Sequence, residues 1–199
     1  MGMAVQIDIV DDDREIRDSL GMLLTAAGYT ARMYASAENF LRNLDLATAC
    51  VIADVYMPEM GGLELQSELA ARKIHPPIIF MTGLGTIPLA VRSLQAGAVD
   101  FIEKPFLGKV MLASVRRALS LRQSTGRGSE AQEAKHIVSC LTSRERDVMH
   151  LLVDGASNKI AAHELGISPR TIENHRASIM EKMNARNLSD VVRVALAAR

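Results

Sequence analysis

The chain has 199 residues, with 23 Lys and Arg against 23 Asp and Glu, so it is formally neutral at pH 7. That balance argues against a generally sticky polycation, and 48% hydrophobic with 23% charged residues suits a soluble globular protein of one large or two modest domains. No apolar run approaches a membrane span, and the start "MGMAVQIDIVDDD" lacks the basic and apolar regions of a signal peptide, so a cytoplasmic protein without a membrane partner is expected.

In chain order, "AVQIDIV" reads as a strand and "REIRDSLGMLLTAAG" as a helix. "YTARMYA" and "SAENFLRNL" repeat that alternation, followed by "ACVIAD" with "GGLELQSELAARK" and "PIIFMT" with "TIPLAVRSLQAG". "VDFIEK" and "GKVMLASVRRALSLR" complete it. Five strands alternating with five helices predict an α/β domain, a doubly wound parallel sheet covered on both faces. A polar, Gly-containing linker follows. Beyond it "TSRERDVMHLLVDG", "NKIAAHELG", "PRTIENHRASIMEKM" and "LSDVVRVALAAR" predict a small all-α domain of four helices. The expected boundaries are 1–122, linker 123–136 and 137–199. Residues 1–122 hold 12 basic and 14 acidic side chains, whereas residues 137–199 hold 9 and 7, which permits a nucleic-acid surface in the second domain. Cys50 and Cys140 have no metal or disulfide spacing and read as buried thiols.

In a doubly wound sheet, ligands bind at the carboxyl ends of the strands. Here the first strand runs into Asp11, Asp12 and Asp13, the third ends on Asp54, the fourth on Thr82, and the fifth on Glu103-Lys104-Pro105. Taken singly, Asp11 and Asp12 read as turn residues, Asp13 as a helix N-cap and Lys104 as a surface charge. Taken together, they put carboxylates, a hydroxyl and a lysine on one edge. Oxygen ligands without nearby His or Cys suit Mg²⁺, and a carboxylate can accept a phosphoryl group as an acyl phosphate.

The segments "VDDD", "ADVYMPEMGGLEL", "FMTGLG" and "AGAVDFIEKPF" resemble a response-regulator receiver domain, with the CheY-like, flavodoxin-like sheet that this family carries. The resemblance implies Asp54 as phosphoacceptor, with Asp11, Asp12, Asp54 and the backbone carbonyl of Tyr56 as Mg²⁺ ligands. It implies Lys104 as counter-charge, Thr82 as switch hydroxyl, Phe101 as switch aromatic and a cis Lys104-Pro105 step. The implied mechanism is transfer from a phosphohistidine on a sensor histidine kinase, then reshaping of the face formed by the fourth helix, fifth strand and fifth helix. The competing reading is a phosphatase of the haloacid type, which needs a general acid two residues after the nucleophile. Tyr56 occupies that place, so turnover is disfavoured and a non-enzyme is expected.

"NKIAAHELGISPRTIENHRASIMEKM" follows the pattern of a helix-turn-helix: Ile160, Ala161 and Leu165 pack the first helix, Gly166 turns, Ser168 caps and Pro169 opens the second. Ile172, His175, Ile179 and Met183 form its buried stripe. Arg170, Thr171, Glu173, Asn174, Ala177 and Ser178 can face a major groove, with Lys159 and Lys182 toward phosphates and Arg176 bordering both faces. A protein-interaction module is the alternative. The whole stretch from "LTSRERD" to "IMEKM" resembles the LuxR-type DNA-binding domain, and its combination with a receiver resembles the FixJ branch of two-component regulators. Leu84, where relatives often carry His, and Tyr56, where Arg is common, depart from the receiver pattern, and Glu173 from that of some LuxR-type helices. The resemblance implies a homodimer formed on phosphorylation around Val91, Gln95 and Phe101, double-stranded operator DNA as partner, and RNA polymerase as a further one.

Overall fold

The structure, a computed structural model, describes residues 5–83, 87–123, 134–185 and 187–198. Leu84 and residues 124–133 of the expected linker lie outside the described residues. Close packing divides the chain into two units, Met1–Leu84 with Gly97–Gln123, and Gly85–Ala96 with Ser124–Arg199.

The first unit contains the strands β1 (Gln6–Val10), β2 (Thr30–Tyr34), β3 (Cys50–Asp54), β4 (Ile78–Thr82) and β5 (Asp100–Glu103). Its helices are α1 (Arg14–Ala26), α2 (Ala37–Arg42), α3 (Gly62–Ala71) and α5 (Gly108–Gln123). All strand pairs are parallel, in the order β2-β1-β3-β4-β5. The strand order reverses between β1 and β3, the place where this topology gathers ligands. One face of the sheet is sealed by Leu20 and Leu24 of α1 and Met111, Val115 and Ala118 of α5, packed on Ile7, Ile9, Ile52, Ile79 and Met81. Each of these residues is almost wholly withdrawn from water, worth roughly 1.5–3 kcal/mol for each of the larger side chains. On the other face α3 buries Leu65 and Leu69. Cys50 is buried in β3, where burial pushes its thiol up to about 12, whereas Cys140 is exposed, contrary to expectation, because it lies just past the helical residues 134–139.

Asp13 caps α1 as its sequence position predicts, its Oδ1 accepting from the backbone of Glu15 at 2.8 Å and Ile16 at 3.4 Å. Gly62 has a different task. A Cβ there would stand 2.3 Å from the carbonyl oxygen of Asp54 and 2.9 Å from the Phe80 ring, so α3 starts this close to the end of β3 only with glycine.

The second unit holds α4 (Ile87–Gln95), α6 (Ser143–Val153), α7 (Asn158–Leu165), α8 (Pro169–Lys182) and α9 (Leu188–Ala197). Helix-start chemistry is explicit at each end: Thr142 and Glu145 form a reciprocal capping box, and Ser157, Ser168 and Asn187 cap α7, α8 and α9. Gly166 ends α7 at φ 65°. The core joins Val148, Met149 and Leu152 to Ala161, Ile172, Ile179, Met183, Val191 and Val192. Ile160, expected to pack, is 52% exposed, and Ala161 and Ala162 take the buried positions instead. Helix α4 buries Ala90, Val91 and Leu94, and its Gln95 Nε2 donates to the carbonyl of Val153 at 3.0 Å. Val91 and Phe101, expected on a dimer face, are only 2% and 6% exposed.

One buried acid fastens α6 to α8. The Glu145 carboxylate accepts from Lys182 Nζ at 2.7 and 2.9 Å, from Ser178 Oγ at 2.6 Å and from the Thr142 backbone at 2.7 Å. The Lys182 hydrogen bond, with that of Ser178, holds the Glu145 pKa down to about 2, against an ordinary 4.5. The folded value lies below the unfolded one, so this stabilisation is complete above about pH 4.5 and is lost as pH falls through about 2.

Two outcomes are expected. Gly62→Ala lowers stability to urea by about 1–3 kcal/mol, since backbone must move; an unchanged midpoint would show that the approach to Asp54 is not tight. Glu145→Gln destabilises by about 1–3 kcal/mol at pH 7, and its deficit against wild type shrinks as denaturation is repeated at successively lower pH; a deficit that is the same at pH 7 and pH 3 would remove the ion pair's role.

Candidate functional site

Parallel strands deliver the acidic residues to one edge. Asp11 follows β1 and is fully buried; its Oδ1 accepts from the Asp13 backbone at 2.9 Å and its Oδ2 from Lys104 Nζ at 2.7 Å. Asp54 is the last residue of β3 and 8% exposed; its Oδ1 accepts from the Tyr56 backbone at 3.2 Å and its Oδ2 from the same Lys104 Nζ at 2.7 Å. Asp12 is exposed, yet one carboxylate oxygen from each of Asp11, Asp12 and Asp54 falls within 4.8 Å of the others. All three donors are hard oxygens, and this set fits a small divalent cation of the Mg²⁺ type.

Lys104 follows β5, and its peptide bond to Pro105 is cis. Its backbone N–H donates to the Thr82 carbonyl at 2.7 Å, which holds the ends of β4 and β5 side by side. Thr82 is itself fully buried next in line after Met81, the register partner of Asp54. Phe101 pairs with Phe80 further back in the sheet. Thus Asp11, Asp12, Asp54 and Lys104 come together, Thr82 adjoins them, and Phe101 lies deeper.

Burial lifts the Asp11 pKa, and the hydrogen bond from Lys104 offsets this only in part. For Lys104, burial works against the charge, but hydrogen bonds to Asp11 and Asp54 outweigh it and hold its pKa above the ordinary lysine value. The result is a fixed cation beside an oriented carboxylate that can act as a nucleophile. Arg17 adds a further positive group that the sequence pattern did not single out, its Nη1 donating to the Asp11 carbonyl at 2.6 Å. A second buried charge lies outside the motifs singled out above: Asp8, inside β1, accepts from Arg32 through both oxygens at 2.9 Å and from Thr48 Oγ1 at 2.6 Å. An acid in the middle of an apolar strand was the available signal.

In the second unit, the exposed part of α8 carries Arg170, Glu173, Asn174 and Ala177, and Lys159 is exposed on α7. Thr171 shares a hydrogen bond with Ser168 at 2.8 Å, and Arg176 Nη1 donates to Asn158 Oδ1 at 2.7 Å, a hydrogen bond internal to the domain. Ser178 and Lys182, expected toward DNA, are both committed to Glu145. The capping-box spacing Thr142 to Glu145 was the legible sign that this acid is structural.

Known proteins match in the same order. The response regulator receiver domain family matches residues 7–116, and the family described as bacterial regulatory proteins, luxR family, matches residues 139–195. The transcriptional regulatory protein FixJ of Azorhizobium caulinodans is 42% identical over 200 residues, covering 100% of this chain and 95% of that protein. The response regulator protein TmoT of Ectopseudomonas mendocina is 40% identical over 190 residues, covering 94% of this chain and 86% of its own length. Among solved structures, full-length FixJ from B. japonicum aligns with a TM-score of 0.55 at 42% identity, covering 98% of this chain and 97% of its own. Among the described residues no helix is long and apolar enough to cross a membrane. With both families matched in order and identity running along the whole length, the chain belongs to the FixJ-type response regulators, a receiver followed by a LuxR-type DNA-binding domain.

Proposed function

We propose that the chain stores a phosphoryl group on Asp54 and, in that state, dimerises and binds operator DNA to regulate transcription. The observation that carries this reading is the single Lys104 ammonium hydrogen-bonded to both Asp11 and Asp54 at 2.7 Å. A phosphohistidine of a partner sensor kinase supplies the group. An Asp54 carboxylate oxygen attacks phosphorus, the new O–P bond forms as the P–N bond breaks, and the electron pair leaves with the imidazole. Asp11, Asp12, Asp54 and the Tyr56 carbonyl would hold Mg²⁺, which when bound neutralises phosphoryl charge. Lys104 screens the added negative charge, and the Thr82 hydroxyl turns toward the new oxygens, with Phe101 following into the space released. Tyr56 is 54% exposed and carries no carboxyl group, so no acid stands two residues after Asp54 to drive turnover, and storage rather than phosphatase chemistry is favoured.

Two phosphorylated receivers would then pair. Joining two weakly binding helix-turn-helix units on half-sites one helical turn apart, roughly 10 base pairs, multiplies affinity without new contacts. RNA polymerase is the further partner that an activating role calls for.

Incubation with acetyl phosphate and Mg²⁺ adds one phosphoryl mass to the wild type and none to Asp54→Asn, and chelating the metal abolishes the adduct. Absence of an adduct on the wild type would sink the reading of Asp54. Lys104→Ala slows adduct formation on the order of 10²-fold, by loss of a preorganised cation; an unchanged rate would remove that role. Sedimentation of the phosphorylated wild type shows a dimer, and a persistent monomer would defeat the pairing step while leaving the chemistry.

A further inference from the structure

The side chains of α8 fall into two sets. Thr171, Arg176, Ser178 and Lys182 are held by internal hydrogen bonds. Arg170, Glu173, Asn174 and Ala177 are exposed, and among the described residues no hydrogen bond or ion pair engages them. Arg170, Asn174 and Ala177 follow one another at helical spacing, with Glu173 alongside. Glu181, also exposed, continues the same stripe.

The charges on this open face are unusual for a surface that meets a polyanion. Arg170 is its one unpaired cation among the described residues, set against the carboxylates of Glu173 and Glu181, since the exposed Lys182 is ion-paired with Glu145 at 2.7 Å. Such a face supplies little of the phosphate attraction that drives non-specific binding. A carboxylate brought against DNA is repelled unless it meets a hydrogen-bond donor. The major groove offers two, the amino groups of cytosine and adenine. Adenine places its N7 acceptor beside the amino group, where it opposes a carboxylate; cytosine presents the amino group without an acceptor of its own.

We infer that Glu173 is the specificity-determining residue of each half-site, selecting a C·G pair by accepting from the cytosine amino group and rejecting pairs that lack it there. This rests on the reading that α8 enters the major groove. Glu173 therefore discriminates more than it attracts: removing its charge strengthens binding to unrelated DNA while weakening the choice of base.

The test uses the full chain, phosphorylated with acetyl phosphate and Mg²⁺, to select from a randomised duplex pool, for wild type, Glu173→Gln and Glu173→Ala. Because Glu173 is exposed, thermal unfolding of both variants matches wild type and serves as the folding control. For the wild type, one position in each half-site prefers cytosine roughly tenfold or more. In Glu173→Gln that position moves toward adenine, in Glu173→Ala it loses preference, the other positions are retained, and both variants bind unrelated DNA more tightly. The same cytosine preference in all three proteins would overturn the role of Glu173 and leave operator binding intact. Recovery of no sequence above unrelated DNA by the wild type would instead overturn the DNA-binding reading, and this inference with it.

Discussion

One ammonium group between two carboxylates organises the first unit. Lys104 reaches Asp11 and Asp54 with equal 2.7 Å hydrogen bonds, and both acids are largely withdrawn from water. Without that cation, two neighbouring carboxylates would repel one another and would each meet the desolvation penalty of a buried charge. With it, the penalty is met by charge-assisted hydrogen bonds that also fix where each oxygen points. The geometry requires the ends of β1, β3 and β5 to lie at one level, which the parallel register supplies and the backbone bond from Lys104 to Thr82 secures.

The same physical solution appears twice more. Asp8 is fully buried in β1 and satisfied by Arg32 and Thr48, which ties the edge strand β2 to the centre of the sheet. Glu145 is buried between α6 and α8 and satisfied by Lys182, Ser178 and the Thr142 backbone. The three acids differ in what surrounds them. Asp8 and Glu145 are enclosed by partners from neighbouring elements, so they serve structure. Asp54 has its partner at an edge open enough to leave 12% of its side chain accessible, which is what the proposed phosphoryl transfer requires. What separates Asp54 from the other two acids is its placement at a strand end rather than its residue type.

Charge is divided between attraction and discrimination in the second unit. Anchoring Lys182 to Glu145 fastens α8 to α6 and sets a carboxylate beside a cation that stays partly exposed. In the proposed function, pairing two copies would let avidity carry the affinity and leave the exposed side chains to discriminate.

The residues by themselves determined the alternation of strand and helix, the caps at Asp13, Ser168 and Thr142 and the clustering of acids at strand ends. These are local matters of periodicity, turn chemistry and end position, which neighbouring residues settle. Tertiary structure decided which charged side chains remain free. Ser178 and Lys182 look like surface residues on a helical wheel, and only the approach of α6 shows that they answer a buried glutamate. Asp8 looks misplaced in its strand until β2 brings Arg32 across to it, and Ile160 looks like core until α7 turns its alanines inward. Partner choice for a charge depends on residues distant in the chain, and the desolvation that makes the pairing necessary exists only once the elements have packed.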